Sequence, residues 1–448
     1  MFQKSILITI VYFVTMNING IILESVKDEG VQLTDSKKGH MIHHNGVFSK
    51  DNQWIVFDTR NDETKIGETS EIGIVNTITG DEKIIYRTDN PTKHGPGVGA
   101  ASFSPIENKV IFIHGLPSAN EEKPYGFTRR TGVAVEIDNP FVGINMDARD
   151  VTFPYTFGSL RGGTHSHCWN PNGRIISFTY NDEYVNPDLR TVGVMFDTGI
   201  YIYTDSQVEN NNGKLYSSIV ADVKLNPKAG SDEISKAFDE CWIGNNGYIN
   251  NKGVRVLDAI AFQGNTLNTS GEVISEIFIV DVNTTNILDD PNSVGKLGGS
   301  LIVPNGIKQR RITRTENGLS SVRHWLRSSS DGAFIYALAE DKDGIVQIIQ
   351  CRVNSGEIKY LTNNKFSITN PFNLSSEGKK IAFIGNNNIY LLDMITNKLK
   401  QVTNNKVDDC KLVGAPVFSR DDKMLAYNRY AIDEEENSFV QINIIYLS

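Results

Sequence analysis

The stretch Leu160–Trp169, LRGGTHSHCW, sets two histidines two residues apart beside a cysteine, with the turn sequence NPNG following at once. Imidazoles at that spacing can ligate a metal, move protons near neutral pH, or sit hydrogen-bonded in a strand. The chain holds eight histidines: His40, His43, His44, His94, His114, His165, His167 and His324. Arginines and tyrosines occupy neighbouring segments: Arg60, Arg129, Arg130, Arg161, Arg190, Arg323, Tyr180 and Tyr184. A lone loop arginine is ordinarily a solvated charge. Several of them converging on histidines point to an anionic ligand, because guanidinium matches carboxylate and sulfate geometry in bidentate fashion.

Histidine, tyrosine and arginine together suit β-elimination from a uronic acid. Abstraction of the C5 proton puts negative charge on the adjacent carboxylate, which a cation must stabilise. A neutral histidine can act as base and a tyrosine can protonate the leaving oxygen. Other chemistries leave weaker traces. There is no G-x-S-x-G elbow, no P-loop and no dinucleotide fingerprint. Asp239 and Glu240 form a carboxylate doublet that keeps a glycoside hydrolase open.

These groups need elements to position them. A short motif recurs: an apolar pair, a Ser/Asn-x-Asp/Asn-Gly-type turn, then a β-rich run. It occurs at 46–60, 101–115, 167–182, 326–341, 372–387 and 416–430, with a degenerate seventh copy at 240–264. Segments such as EIGIVNTITGDEKIIY and NIYLLDMITNKLKQVT read as hairpins. Each unit thus carries about four short strands, and radially repeated four-stranded sheets make a propeller. The expected fold is all-β, a seven-bladed β-propeller over 23–448. Six blades with an insertion at 205–265 is the alternative. Only SDEISKAFDE, 231–240, reads as helix.

In a propeller the first strand of each blade lines the central channel. All eight histidines fall in segments expected on its upper face. Setting the residues before each turn equivalent brings His44, His165 and His324 to one level, where strand alternation gives them a common orientation. Three imidazoles suit a zinc or manganese ion. Hydrogen-bonded histidines in a water-filled channel are the other reading.

Bulk properties narrow the class. The chain has 448 residues, a net charge of −9 and no basic run, which argues against nucleic acid as a partner. A polyanion can still bind where cations gather in one cleft. Lys4 followed by an apolar run from Ile6 to about Met16 reads as a signal peptide, placed at 1–22, and implies a secreted or periplasmic protein. No later segment reads as a membrane span. Cys168, Cys241, Cys351 and Cys410 have no disulfide-framework spacing and read as free thiols. The expected state is a monomer without an organic cofactor.

The stretches GHMIHHNGVFSKDNQWIVFDTRND, KHGPGVGAASFSPIENKVIFIHG and LRGGTHSHCWNPNGRIISFTYND resemble the seven-bladed ulvan lyases of polysaccharide lyase family 25. They also resemble an uncharacterised enterobacterial propeller family. The first resemblance implies β-elimination in ulvan, an acidic sulfated polysaccharide, between sulfated rhamnose and a uronic acid, leaving 4,5-unsaturated uronate ends. It implies His94 and His114 as the family's two histidines, with Tyr180 as acid and Arg190 as carboxylate partner. Tyr155 and Arg161 are rivals for those two roles. Arg161, Tyr155, Tyr184, Tyr216 and Arg60 are expected to contact substrate. The resemblance also implies zinc in a structural role. Two other classes stay open: a non-catalytic propeller module binding protein or glycan, and a carboxylate-dependent glycoside hydrolase.

Overall fold

The computed structural model describes residues 15–18, 21–25, 30–205, 207–406 and 409–447. The expected leader, 1–22, lies outside these apart from Thr15–Ile18 and the first two residues of Ile21–Ser25.

Seven antiparallel sheets follow one another along the chain. Blade 1 comprises Trp54–Asp58, Glu71–Asn76 and Glu82–Arg87, with bridges from Met41 to Asp58 and Phe48 to Ile55 marking its inner edge. Blade 2 runs Val98–Phe103, Lys109–Gly115, Arg130–Glu136 and Asn139–Asn145. Blade 3 runs Gly162–Trp169, Ile175–Asp182, Arg190–Phe196 and Tyr216–Ile219. Blade 4 runs Lys236–Trp242, Ala259–Leu267, Val273–Asp281 and Gln309–Arg311. Blade 5 runs Arg327–Ser328, Phe334–Glu340, Val346–Arg352 and Ile358–Tyr360. Blade 6 runs Asn373–Leu374, Lys380–Gly385, Asn388–Asp393 and Leu399–Gln401. Blade 7 runs Leu412–Phe418, Met424–Ile432 and Ser438–Tyr446. Its fourth strand comes from the other end of the chain: Val31–Gln32 pairs with Ile444 and Asn443. The chain is an all-β, seven-bladed β-propeller, and its ends close the ring. All seven sequence repeats are blades, including the degenerate one, which becomes blade 4. The segment expected to be helical is instead the approach to that blade and its first strand, Lys236–Trp242. Packing between two blades overrides local helix preference there.

The second strand of each blade is covered on both faces by the neighbouring blades. It therefore reads as an apolar run rather than as alternation. In Lys109–Gly115 and Ile175–Asp182 every residue is buried. The turn before this strand is built by side chains. Ser49, Ser329, Ser375 and Ser419 each accept from the backbone N–H five residues on, at Trp54, Phe334, Lys380 and Met424. In blade 3 the carboxamide oxygen of Asn170 does the same for Ile175. These are the turn chemistries that Ser and Asn supply.

The channel-lining first strands are not regular. Blades 2, 3 and 4 shift register at Gly99/Ser102, His165/Cys168 and Phe238/Cys241. Each shift centres on a non-glycine residue in the left-handed region: Ala100 (φ 55°), Ser166 (φ 56°) and Asp239 (φ 51°). One bulge thus repeats at the same position of three consecutive blades. Bulges re-aim side chains and are frequent beside functional sites.

Candidate functional site

The structure spreads the eight histidines over different environments. His40 lies under blade 1, where its Nε2 is 3.2 Å from Glu82 and its ring tilts over Phe57. His114 sits between blades 1 and 2; its Nδ1 bonds the Gly115 carbonyl and its ring meets the edge of Tyr86. His94 is half-buried on the loop entering blade 2, its carbonyl accepting from the Tyr125 N–H. In His324 the Nε2 accepts from the Leu338 N–H at 3.0 Å, so Nδ1 carries the proton and donates to the Val322 carbonyl at 2.6 Å. Four histidines, His43, His44, His165 and His167, are buried together with ring nitrogens that have no partner.

This placement corrects the expected metal site. Both nitrogens of His324 are engaged by backbone, so it cannot join His44 and His165 as a ligand. Among the described residues no group of three or more His, Cys, Asp or Glu side chains is arranged to hold a metal ion. The residues do not fit the structural zinc that the lyase resemblance implied. The three histidines do not share one orientation, because the left-handed Ser166 interrupts regular alternation in blade 3.

The expected catalytic set is not brought together either. Tyr180 is 2% exposed in the apolar cluster between blades 2 and 3. Its hydroxyl donates to Asp182 at 3.1 Å and accepts from the Arg161 N–H at 3.2 Å. Burial, then the Asp182 charge, holds its pKa well above the ordinary value. A phenol so enclosed cannot protonate a leaving group in the channel. His114 faces an inter-blade seam, and His94 lies against the loop that carries Tyr125. Arg161 is 1% exposed, bonded to Asp182 and the Gly299 carbonyl, and lies over the Tyr155 ring. Arg60 clamps Asp58, whose second oxygen accepts from the Ala100 N–H and so supports the blade 2 bulge. Tyr216 packs in the apolar cluster between blades 3 and 4, and Tyr184 is exposed on the loop after Asp182.

Of the expected catalytic and substrate-contacting residues, Arg190 does line a cavity. A polar cavity of about 360 Å³ opens on the upper face between blades 3, 4 and 5. Arg190, Lys236 and Arg323 bring three cations to it, and Asp239 brings one carboxylate. Among the described residues none of the three cations lies within ion-pair distance of a carboxylate. Arg190 donates only to Asn181 and sits over Phe127; Arg323 lies over Trp325. Gln263, Asn265, Ser275, Ser320 and Ser321 add hydroxyl and amide groups to the wall, and Phe238 and Val322 complete it. Burial raises the Asp239 pKa to about 6, against the pull of Arg323 and Arg190. Next to it on the channel, burial and then the charges of Arg130 and Arg190 hold His165 neutral, with a pKa well below 6.5. Glu240, the other half of the doublet, faces a different cavity at the lower end of the channel. The two carboxylates therefore do not flank one bond, as a paired-carboxylate hydrolase requires.

In the sequence Asp239 stands out only beside Glu240, as a candidate glycosidase carboxylate, and Lys236 does not stand out at all. The detectable signal was the local one: a Lys-x-x-Asp spacing entering a channel strand, beside Arg323 of the next blade.

Comparison with known proteins places the chain. The uncharacterized protein YidR of Escherichia coli (strain K12) is 34% identical over 411 residues, spanning 88% of this chain and 94% of that protein. The chain belongs to the YidR family. Within it, residues 97–209 match a family described as a protein of unknown function (DUF3748), and residues 318–420 match the dipeptidyl peptidase IV (DPP IV) N-terminal region. The protein assigned as TolB in Agrobacterium tumefaciens is 12% identical, with 84% of this chain and 99% of that one covered and a TM-score of 0.41. TolB of Acinetobacter baumannii is also 12% identical, with 88% and 79% covered and a TM-score of 0.38. YidR membership overturns the ulvan-lyase resemblance, since none of these matches points to polysaccharide lyase family 25, and it agrees with the resemblance to an uncharacterised enterobacterial propeller family. The stretches behind the lyase resemblance are blade entries and turns, which serve the propeller itself. Among the described residues no helix is long and apolar enough to cross a membrane.

Proposed function

We propose that the chain binds an acidic saccharide at the upper cavity between blades 3, 4 and 5, and that Asp239 is the group that moves a proton there. The observation that carries this reading is the charge imbalance: three cations without carboxylate partners surround one carboxylate. Surface cations normally stay solvated; here they are gathered on a concave, hydroxyl- and amide-lined wall. Such a wall suits a hydroxylated anion. It also reconciles a chain of net charge −9 with an anionic ligand, because the local field decides.

Among the described residues the Asp239 side chain has no hydrogen-bond partner, and it lines the cavity from a left-handed backbone position. A carboxylate with a pKa of about 6 is matched to proton transfer near neutrality. Proton abstraction beside a uronate carboxyl would use Asp239 as base and Arg190 or Arg323 to neutralise the developing charge. The base thereby moves from His94 to the channel. An exported location remains part of this reading, on the Lys4 and Ile6–Met16 pattern.

The test is incubation with oligouronates and with their neutral counterparts, following new reducing ends and ultraviolet absorbance. The reading expects turnover of the acidic series alone, abolished in Asp239→Asn while binding is kept. Acidic oligomers bound without turnover would make the chain a binding module. Equal binding of acidic and neutral oligomers would overturn the reading.

A further inference from the structure

The channel has a second polar chamber. At its lower end, among the turns that follow the first strands, lies a cavity of about 310 Å³. Its wall includes His44, His167, Trp169, Glu240, Arg327 and Arg420. Besides His43 Nε2 on the same wall, four buried atoms on these side chains have no partner among the described residues: His44 Nε2, His167 Nδ1, Trp169 Nε1 and Glu240 Oε1. Buried polar atoms are almost always paired, so these orphans on one cavity call for a ligand or ordered water.

The hydrogen-bond pattern fixes what each orphan offers. Arg327 Nη2 is 3.1 Å from His44 Nδ1, and a guanidinium only donates. His44 Nδ1 is therefore the acceptor, and the neutral ring carries its proton on Nε2, pointing a donor at the cavity. Thr164 donates its one hydroxyl proton to Asp147, so it accepts from His167 Nε2 at 3.0 Å. That leaves His167 Nδ1 as a lone-pair acceptor. Trp169 adds a pure donor. Glu240 Oε2 accepts from Thr179 at 3.0 Å, leaving Oε1 free. Arg327 supplies a buried positive charge whose bonds go only to neutral groups: Asn373, the Leu326 carbonyl and His44. Arg420 likewise bonds only carbonyls, those of Phe48 and Ser104.

We propose that the lower cavity is a separate binding site for a small hydroxy acid. Its carboxylate takes the His44 and Trp169 donors in the field of Arg327 and Arg420, and its hydroxyl donates to His167 Nδ1. A simple carboxylate would leave the acceptor unmet, and a neutral polyol would leave the cations unanswered. Glu240 fits this arrangement because burial raises its pKa to about 7, so that it can meet the ligand in its protonated form.

Calorimetric titration of the full chain with glycerate, acetate, glycerol and inorganic phosphate tests this. Glycerate is expected to bind at least tenfold more tightly than the other three. The preference should fall at least tenfold in Trp169→Phe, which removes the indole donor while keeping an aromatic ring at the wall. His167→Gln provides a second check at the acceptor. Lys236→Ala, at the upper cavity and remote from the Trp325–His44 stack, should leave glycerate binding unchanged. That contrast separates this site from the upper one. Equal binding of acetate and glycerate, phosphate binding tighter than glycerate, loss in Lys236→Ala, or no binding by folded wild-type protein would each overturn the proposal.

Discussion

At Asp239 and Glu240, two adjacent carboxylates receive opposite tasks from one backbone angle. The left-handed φ of 51° at Asp239 turns it to the upper cavity and leaves Glu240 to the lower one. Both are raised by burial, to about 6 and about 7. For Glu240 the sign is clear. The native chain keeps a proton that the unfolded chain releases near 4.5, so the stability present below that value is lost as pH rises through about 7. Glu240→Gln, which keeps the Thr179 bond, should therefore raise stability above pH 7 by up to about 3 kcal/mol and change little at pH 4. Denaturant titrations at the two pH values measure this. The sequence disclosed the types of these residues but not their partners. His324 and Tyr180 look like chemistry in one dimension, yet their polar atoms are engaged by Val322, Leu338, Asp182 and Arg161. Lys236 and Arg190 look like surface charges, and only the meeting of two blade edges makes them a site.

The repeated elements were the legible part. The Ser- and Asn-based turns and apolar second strands recur in sequence because every blade must make the same turn and bury the same strand on both faces. The bulges were not legible, since Ala100, Ser166 and Asp239 share no residue type and glycine is absent from all three. Their left-handed backbone is a property of the channel, not of local preference. A β-branched residue there is strained, so Ser166→Val is expected to cost roughly 1–3 kcal/mol. Ser166→Gly, which accepts the angle freely, should be near neutral or stabilising. Thermal melts of the pair separate backbone strain from loss of the hydroxyl, because both variants lack it.

At the scale of the whole ring, two features set stability. The first is closure. The buried Thr34 hydroxyl donates to Gln441 and accepts from the Ile442 N–H, beside the Leu33 bond to the Ile442 carbonyl. Thr34→Ala should cost roughly 1–3 kcal/mol, although it lies far from either cavity, and leave ligand affinity intact. The second is the buried imidazoles. His43, His44, His114, His165, His167 and His324 are all held below their ordinary value of 6.5, chiefly by burial. The unfolded chain takes up protons that the native chain refuses, so stability falls as pH drops below 6.5. Asp147, Asp239 and Glu240 act in the opposite sense over part of that range. Six imidazoles outweigh three carboxyls, so the melting temperature should decline steadily from pH 7 to pH 5.

Capture of an acidic saccharide by the unpaired cations at the upper mouth is measured by binding isotherms of a defined oligouronate at several salt concentrations, with wild type and Arg190→Ala/Arg323→Ala. Saturable binding that weakens with salt is expected, with a loss of at least roughly a hundredfold in the double variant, since each of the two charge-assisted bonds is worth about 1.5–3 kcal/mol. Salt-independent binding, or an affinity unchanged in a folded double variant, would contradict it.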